Sequence, residues 1–67
     1  MRTFEYSDGK SHKFWNVELS GKSFTVTYGR IGSAGTTKEK TFADEAAARK
    51  DCEKLIGEKT AKGYRET

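Results

Sequence analysis

The sequence contains no proline, one cysteine and one histidine. A single cysteine cannot form an intramolecular disulfide, so the chain is not a disulfide-stapled scaffold of the kind that cells secrete. One histidine and one cysteine are too few for a zinc site built from those ligands. No apolar run approaches the roughly 18 residues of a membrane span, and residues 1–5 lack a signal-peptide apolar stretch. We therefore expect a cytoplasmic protein with no metal, no cofactor and no membrane partner.

Large apolar residues are also scarce. Leu, Ile, Val and Phe together account for ten of the 67 residues, a share that is typical of disordered chains when the net charge is high. The net charge is only +3, however, and eight aromatic residues offer large side chains to bury. The sequence therefore predicts one folded domain, residues 1–67, with an aromatic core and little interior to line a deep catalytic cleft.

Four short segments in the first 42 residues have the pattern of β-strands. Apolar and polar residues alternate in them, so that Trp15, Val17 and Leu19 share one face of the second segment. Turn segments containing glycine separate them, which makes an antiparallel meander the simplest arrangement. Gly29 interrupts the third segment and indicates either a bulge or a close backbone approach. The predicted strands are residues 3–6, 13–19, 23–28 and 36–42.

The remainder of the chain predicts one helix within residues 43–62. Asp44 is a good N-cap residue, and Gly63 suits the position just after a helix. A stripe at helical spacing is available for packing on the sheet. We therefore predict an α+β fold, a small antiparallel four-stranded sheet with one C-terminal helix packed on it. The stripe consists of Ala48, Cys52, Leu55, Ile56 and Lys59.

The excess positive charge lies entirely in the part that forms strands. Residues 1–42 contain seven Lys or Arg against four Asp or Glu, whereas residues 43–67 contain six of each. Hydroxyl side chains and turn glycines are frequent in the same part. Such groups suit a phosphate ligand, although a solvated polar edge strand would give the same pattern.

No group of residues has the pattern of a catalytic site. Residues 29–35 carry glycine at every third position, unlike the G-x-G-x-x-G of nucleotide loops, and turn formation explains them. His12, the only histidine, has no sequence context that would build a Ser/His/Asp set, and Cys52 has no evident base to activate it. We therefore expect no enzymatic activity and no small-molecule substrate.

Four spaced blocks of sequence carry a further signal: KFWNV at residues 13–17, YGRIGSAG at 28–35, KTF at 40–42 and EKTAKGY at 58–64. Their order and spacing resemble the WGR domain, a family named after a Trp-Gly-Arg tripeptide. The family occurs beside the catalytic region of DNA-dependent poly(ADP-ribose) polymerases and in bacterial proteins of the molybdate-regulator type. The resemblance covers about residues 4–66, and FADEAAA at 42–48 is most similar to the bacterial members.

The resemblance implies a small antiparallel sheet crossed by one helix, and binding to the 5′-phosphorylated end of a DNA break. The name-giving tripeptide matches Tyr28, Gly29 and Arg30; in the polymerases its ring packs against the terminal nucleotide, and its arginine lies between DNA and neighbouring domains. A lysine in phosphate contact matches Lys13, and the preceding residue, Asn in some polymerases, is His12 here. A tyrosine at position 28 keeps a stacking face but has less area than tryptophan and no indole N–H.

These observations support two non-enzymatic hypotheses. In the first, the chain is a nucleic-acid-binding module that recognises 5′-phosphorylated DNA ends or nicks: Tyr28 stacks, Arg30 and Lys13 neutralise phosphate, and Gly29 permits close approach. In the second, it is a protein-interaction module in which Arg30 and the helix dock a partner or a fused domain. Steep salt dependence and preference for a 5′-phosphate would favour the first. The predicted nucleic-acid-binding residues are Tyr28, Gly29, Arg30, Lys13 and His12, with weaker contacts from Lys38, Lys40 and Lys22.

Overall fold

The alternating segments form strands, and the segment rich in Ala, Glu and Lys forms a helix. The elements of the computed structural model, which describes residues 1–67, are β1 (Arg2–Ser7), β2 (His12–Ser20), β3 (Ser23–Arg30), β4 (Thr36–Thr41), α1 (Glu45–Ala61) and β5 (Arg65–Glu66). All strands belong to one sheet with the order β4-β3-β2-β1-β5, and neighbours pair antiparallel. The predicted α+β class and the antiparallel meander of β1 to β4 are confirmed.

The sheet has five strands, so the prediction of four was wrong by one. The additional strand β5 pairs Arg65 and Glu66 with Glu5 and Phe4 of β1. A strand of two residues is too short to show alternation in the sequence. Arg2 stabilises β5, because its guanidinium donates hydrogen bonds of 2.9 and 2.8 Å to the two carboxylate oxygens of Glu66. These bonds lower the pKa of the Glu66 carboxyl.

The core lies between the helix and one face of the sheet. Phe4 is paired with Trp15 across β1 and β2, and the centroids of their rings are 5.5 Å apart. Trp15 is only 3% exposed, which confirms the prediction that its face of β2 is buried, although Leu19 on that face is 40% exposed. Burial raises the pKa of the Cys52 thiol, so the thiol stays protonated at neutral pH. The buried residues are Phe4, Trp15, Val17, Phe24, Val26, Ala48 and Cys52.

The helix begins and ends at the predicted capping residues. The carboxylate of Asp44, the N-cap residue, accepts a hydrogen bond of 2.8 Å from the N–H of Ala47. At the other end Gly63 has a φ of +105°, and the N–H of Tyr64 donates to the carbonyl of Lys59 at 3.1 Å. This ending is a Schellman motif. It turns the chain back toward β1, where β5 pairs.

Two glycines bring the loop between β3 and β4 against the sheet. The register of β2 with β3 runs unbroken through Gly29, so there is no bulge at this residue. The alternative prediction, a close backbone approach, is confirmed. A Cβ at Gly29 would lie 2.9 Å from the Cα of Gly35. A Cβ at Gly35 would lie 2.6 Å from the carbonyl oxygen of Tyr28 and 2.7 Å from Cζ of Phe14. The loop therefore packs tightly beside the end of β3, where Arg30 lies.

Candidate nucleic-acid interface

Lys13, Tyr28 and Arg30 share one face of the sheet. Lys13 of β2 is paired with Arg30 of β3, and Trp15, two residues along β2, is paired with Tyr28. Directly paired residues, and residues two apart along a strand, point to the same face. Because Trp15 is a core residue, this is the face that carries the helix. The three predicted residues lie where β2 begins and β3 ends.

Lys13 and Arg30 are exposed and line one shallow cavity of about 290 Å³ at this end of the sheet. Tyr28 is half-buried and packs against the core, so only part of its ring can meet a ligand. The structure therefore brings the two cations together and sets the tyrosine beside them. The residues that line the cavity are Lys10, Ser11, His12, Lys13, Arg30 and Ile31.

His12 and Gly29 belong to the opposite face of the sheet. His12 is paired with Ser7, whose hydroxyl oxygen lies 2.8 Å from Nδ1 of the imidazole. His12 is nevertheless one of the residues that line the cavity, and with Nδ1 engaged, Nε2 is the ring nitrogen left for a further hydrogen bond. The space beside Gly29 is occupied by Gly35 and by the hydroxyl of Ser33, so its missing side chain serves the packing of the loop. Its role in ligand approach stays a prediction.

The three remaining predicted lysines lie away from this end. Lys38 and Lys40 are on β4, on the same face as Arg30, and Nζ of Lys40 lies 4.0 Å from a carboxylate oxygen of Asp51 on the helix. Lys22 is in the turn between β2 and β3. The whole length of β3 separates it from Arg30, a distance of roughly 24 Å at the usual rise of a strand.

A second groove, which the sequence did not predict as a site, adjoins Lys13 on the helix side. It has a volume of about 450 Å³. The rings of Tyr6 and Tyr64 have centroids 5.4 Å apart, and Nζ of Lys59 lies 5.4 Å from the centroid of Tyr64. The groove thus combines cations with aromatic surface. It is lined by Tyr6, Asp8, Ser11, Lys13, Lys59, Lys62 and Tyr64.

Part of the signal for this groove is visible in the sequence. Lys59 and Lys62 are three residues apart and therefore lie on one side of a helix, and Tyr64 follows the glycine that ends that helix. The sequence does not show that the Schellman ending and β5 carry Tyr64 to Tyr6, at the far end of the chain. That contact depends on tertiary structure alone.

The one carboxylate that lines the groove, Asp8, is hydrogen-bonded within the turn between β1 and β2. Asp8 accepts hydrogen bonds of 2.8 and 2.7 Å from the backbone N–H groups of Lys10 and Ser11, and one of 3.0 Å from the hydroxyl of Tyr6. The two backbone hydrogen bonds are the main cause that lowers the pKa of Asp8, and the Tyr6 bond adds to it. The same contact raises the pKa of Tyr6. The phenol therefore stays protonated as a donor.

Five cations surround the two cavities, and we call this region the basic end. Asp8 is the one carboxylate among the lining residues, so the lining has a positive excess, and the half-buried rings of Tyr6 and Tyr64 form part of it. Cations with aromatic surface suit a phosphate that is attached to a stackable base. No three His, Cys, Asp or Glu side chains are placed to hold a metal ion. The helix α1 lacks the length and the hydropathy of a membrane-spanning segment. The basic end consists of Lys10, Lys13, Arg30, Lys59 and Lys62.

Comparison with known proteins finds the same domain inside longer chains. The family model of the WGR domain matches residues 1–67. Two proteins of Escherichia coli K12 are similar: YehF, 48% identical over 64 residues, and YfeS, 43% identical over 65 residues. The alignments cover 96% and 97% of this chain but only 23% and 27% of the relatives. The chain thus spans about a quarter of the length of these relatives.

A solved structure has the same architecture. The crystal structure of a protein from Bacteroides fragilis superposes with a TM-score of 0.94 at 45% sequence identity. The match covers 98% of this chain and 19% of that one. The five-stranded sheet and its helix are therefore a unit that recurs within larger bacterial proteins.

Proposed function

The chain belongs to the WGR domain family, a family of nucleic-acid-binding modules, and we propose that it recognises DNA ends or nicks that carry a 5′-phosphate. The observation that supports this most strongly is the basic end, where two cavities meet at one lysine. WGR is a small binding domain rather than a catalytic one, so the proposed role is recognition. The bacterial relatives agree with action in a bacterial cytoplasm, where DNA ends arise.

The position of Lys13 supports the proposed preference for a terminal phosphate. Lys13 lines both cavities, so a phosphate at its ammonium group would have Arg30 on one side and Lys59 and Lys62 on the other. A phosphate monoester carries about 1.5 to 2 negative charges at pH 7, whereas a backbone diester carries one. Charge-assisted hydrogen bonds to clustered cations therefore favour the monoester. A nick with a 5′-phosphate presents such a group.

Tyr28 and Arg30 would hold the nucleotide next to that phosphate. They are two residues apart on β3 and point to the same face, so the partly exposed ring of Tyr28 lies beside the guanidinium. Stacking of a base on an aromatic ring contributes about 1–3 kcal/mol, and half-burial puts Tyr28 toward the lower end of that range. Lys38, Lys40 and Lys22 lie outside the basic end and would add only long-range, salt-sensitive attraction.

The test is a titration of a fluorescein-labelled duplex with a 5′-phosphorylated nick, followed by fluorescence anisotropy. Arg30→Ala should weaken binding by roughly 1.5–3 kcal/mol, about 10- to 150-fold, because it removes hydrogen bonds to a charged group. Tyr28→Leu, which keeps the apolar contact with the core, should weaken binding by about 1 kcal/mol through the loss of stacking. Lys22→Ala, a cation at the far end of the sheet, is the matched control and should lose less than about threefold.

The wild-type preference for the phosphorylated nick decides the outcome. Circular dichroism of each variant separates loss of binding from loss of fold. If Arg30→Ala leaves the preference for the 5′-phosphate unchanged, the basic end is not the phosphate site. If the wild type binds no nucleic acid but binds a protein partner without salt dependence, the domain is an interaction module that docks through Arg30 and the helix.

A further inference from the structure

Strand β4 is an open edge of the sheet. The strand order puts β4 and β5 at the two edges, but β5 has two residues whereas β4 has six. The helix packs mainly on β2 and β3, and every residue of β4 is exposed. The backbone groups on the outer side of β4 are therefore a template for another strand.

The hydrogen-bond pattern identifies the outward-facing backbone groups. Just beyond β4, the N–H of Phe42 donates to the carbonyl of Lys22 at 2.8 Å. Hydrogen-bonded positions alternate along an antiparallel pair, so the register of β3 with β4 directs the backbone of Lys38 and Lys40 inward to β3. The residues between and beside them direct their N–H and C=O groups outward. These outward residues are Thr37, Glu39 and Thr41.

The side chains of β4 define which strand would fit there. In an added antiparallel strand, the residues opposite Lys38 and Lys40 occupy non-hydrogen-bonded positions, where Cα atoms approach to about 4.5 Å and side chains are closest. Acidic residues at both positions would form cross-strand ion pairs with the two lysines. The residue between them would lie opposite Glu39, where a basic side chain fits.

A second copy of this chain does not meet these requirements. When two β4 strands pair, the outward-facing residues of one copy must lie opposite the outward-facing residues of the other. This condition allows only every second register. In the two registers that overlap most of the strand, a lysine of one copy lies directly opposite a lysine of the other. Like charges directly opposite each other are destabilising. The charge pattern of β4 therefore selects against self-pairing and for a different segment.

We propose that β4 is a docking edge for an extended acidic segment of a protein, which adds to the sheet as a sixth strand. Its acidic residues alternate, so that two of them face Lys38 and Lys40 on the helix side of the sheet. This interaction uses the outer backbone of β4 and does not require Lys13 or Arg30. It is therefore separate from the proposed recognition of DNA ends.

The test uses two capped synthetic peptides. One contains Thr-Glu-Lys-Glu-Thr flanked by alanines, the charge complement of β4, and the control contains Thr-Lys-Glu-Lys-Thr in the same frame. The readout is amide hydrogen exchange of the ¹⁵N-labelled protein by NMR. Saturation with the first peptide should slow exchange of the Thr37, Glu39 and Thr41 amides by about tenfold or more, because those N–H groups gain acceptors. The control peptide should leave them unchanged.

Two sets of variants separate backbone pairing from charge attraction. Glu39→Pro removes one outward N–H, a change that edge strands tolerate. It should lower the affinity for the first peptide by about tenfold. Glu39→Gln keeps the N–H and should bind with less than about threefold change. The combination of Lys38→Glu with Lys40→Glu should reverse the choice between the two peptides, and it supplies a test even if Glu39→Pro fails to fold.

Three outcomes would overturn the proposal. The first is unchanged exchange of the three amides at saturating peptide. The second is a charge-reversed variant that keeps the preference of the wild type. The third is protection of the same amides by a nicked duplex but not by the peptide, which would assign the edge to nucleic acid.

Discussion

Trp15→Ala should leave the domain largely unfolded in water. The side chain is 3% exposed, its ring packs against Phe4 with an interplanar angle of 55°, and Nζ of Lys59 lies 5.9 Å from its centroid. Truncation of a buried tryptophan to alanine costs about 3–5 kcal/mol. The core of a chain this short supplies a net stability of about 3–5 kcal/mol. The two magnitudes are equal, so the substitution removes nearly all of the stability.

Urea denaturation followed by far-UV circular dichroism measures the effect, because Trp15 is the only tryptophan and its fluorescence is lost with it. Small proteins unfold with a slope near the low end of about 1–3 kcal/mol per molar urea. A loss of 3–5 kcal/mol then lowers the urea midpoint by about 3–5 M. The variant is therefore largely unfolded without urea, and its denaturation curve has no native baseline. The urea midpoint of Trp15→Phe, which keeps an aromatic ring, should lie between those of the wild type and Trp15→Ala. An unchanged midpoint for Trp15→Ala would show that this face of β2 is not the core.

Gly35→Ala should destabilise the fold by more than about 1 kcal/mol, because its φ is +75° and the added Cβ meets backbone at 2.6 Å; Gly9→Ala, in open space, is the control, and equal urea midpoints would contradict the close packing of the loop. Asp44→Ala should lower stability by about 1 kcal/mol in thermal melts through loss of the N-cap, and an unchanged melt would mean that the cap contributes nothing. Because folding lowers the pKa of Glu66, its ionised carboxylate stabilises the folded state. This contribution is fully present above the pKa of the unfolded state and is lost as the pH falls through the lower pKa of the folded state. Glu66→Gln, which breaks the pair with Arg2, should therefore flatten the acid dependence of stability, and an identical acid profile would contradict that contribution.

The strands that the sequence predicts are those with one buried face. Alternation around Trp15 and Val17 exists because one side of β2 packs under the helix and the other does not. β5 gave no such signal, since both of its residues are exposed and its position depends on the Schellman ending at Gly63. The helix was predictable from its caps and stripe, because capping and periodic burial are local properties.

The site was predictable only in part. Lys13 and Arg30 were identified together through a resemblance to a family, and cross-strand pairing explains why they adjoin. Lys59 and Tyr64 were not assigned to the site, because the contact that joins them to the first strands forms between distant parts of the chain. The sequence predicts that Tyr28 keeps a stacking face, and the structure shows that its ring is half-buried against the core. Burial of this kind depends on packing that a short motif does not encode.

The affinity of the wild-type chain for three labelled duplexes tests the central claim most directly. The duplexes are a nick with a 5′-phosphate, the same nick without it, and the intact duplex, each titrated at two salt concentrations. Recognition of a terminal phosphate by the basic end predicts that the phosphorylated nick binds about tenfold or more tightly than the others. With about four phosphates contacted, log affinity should fall against log salt with a slope of about −3 to −4. Equal affinity for all three duplexes, or binding that does not respond to salt, would contradict the account.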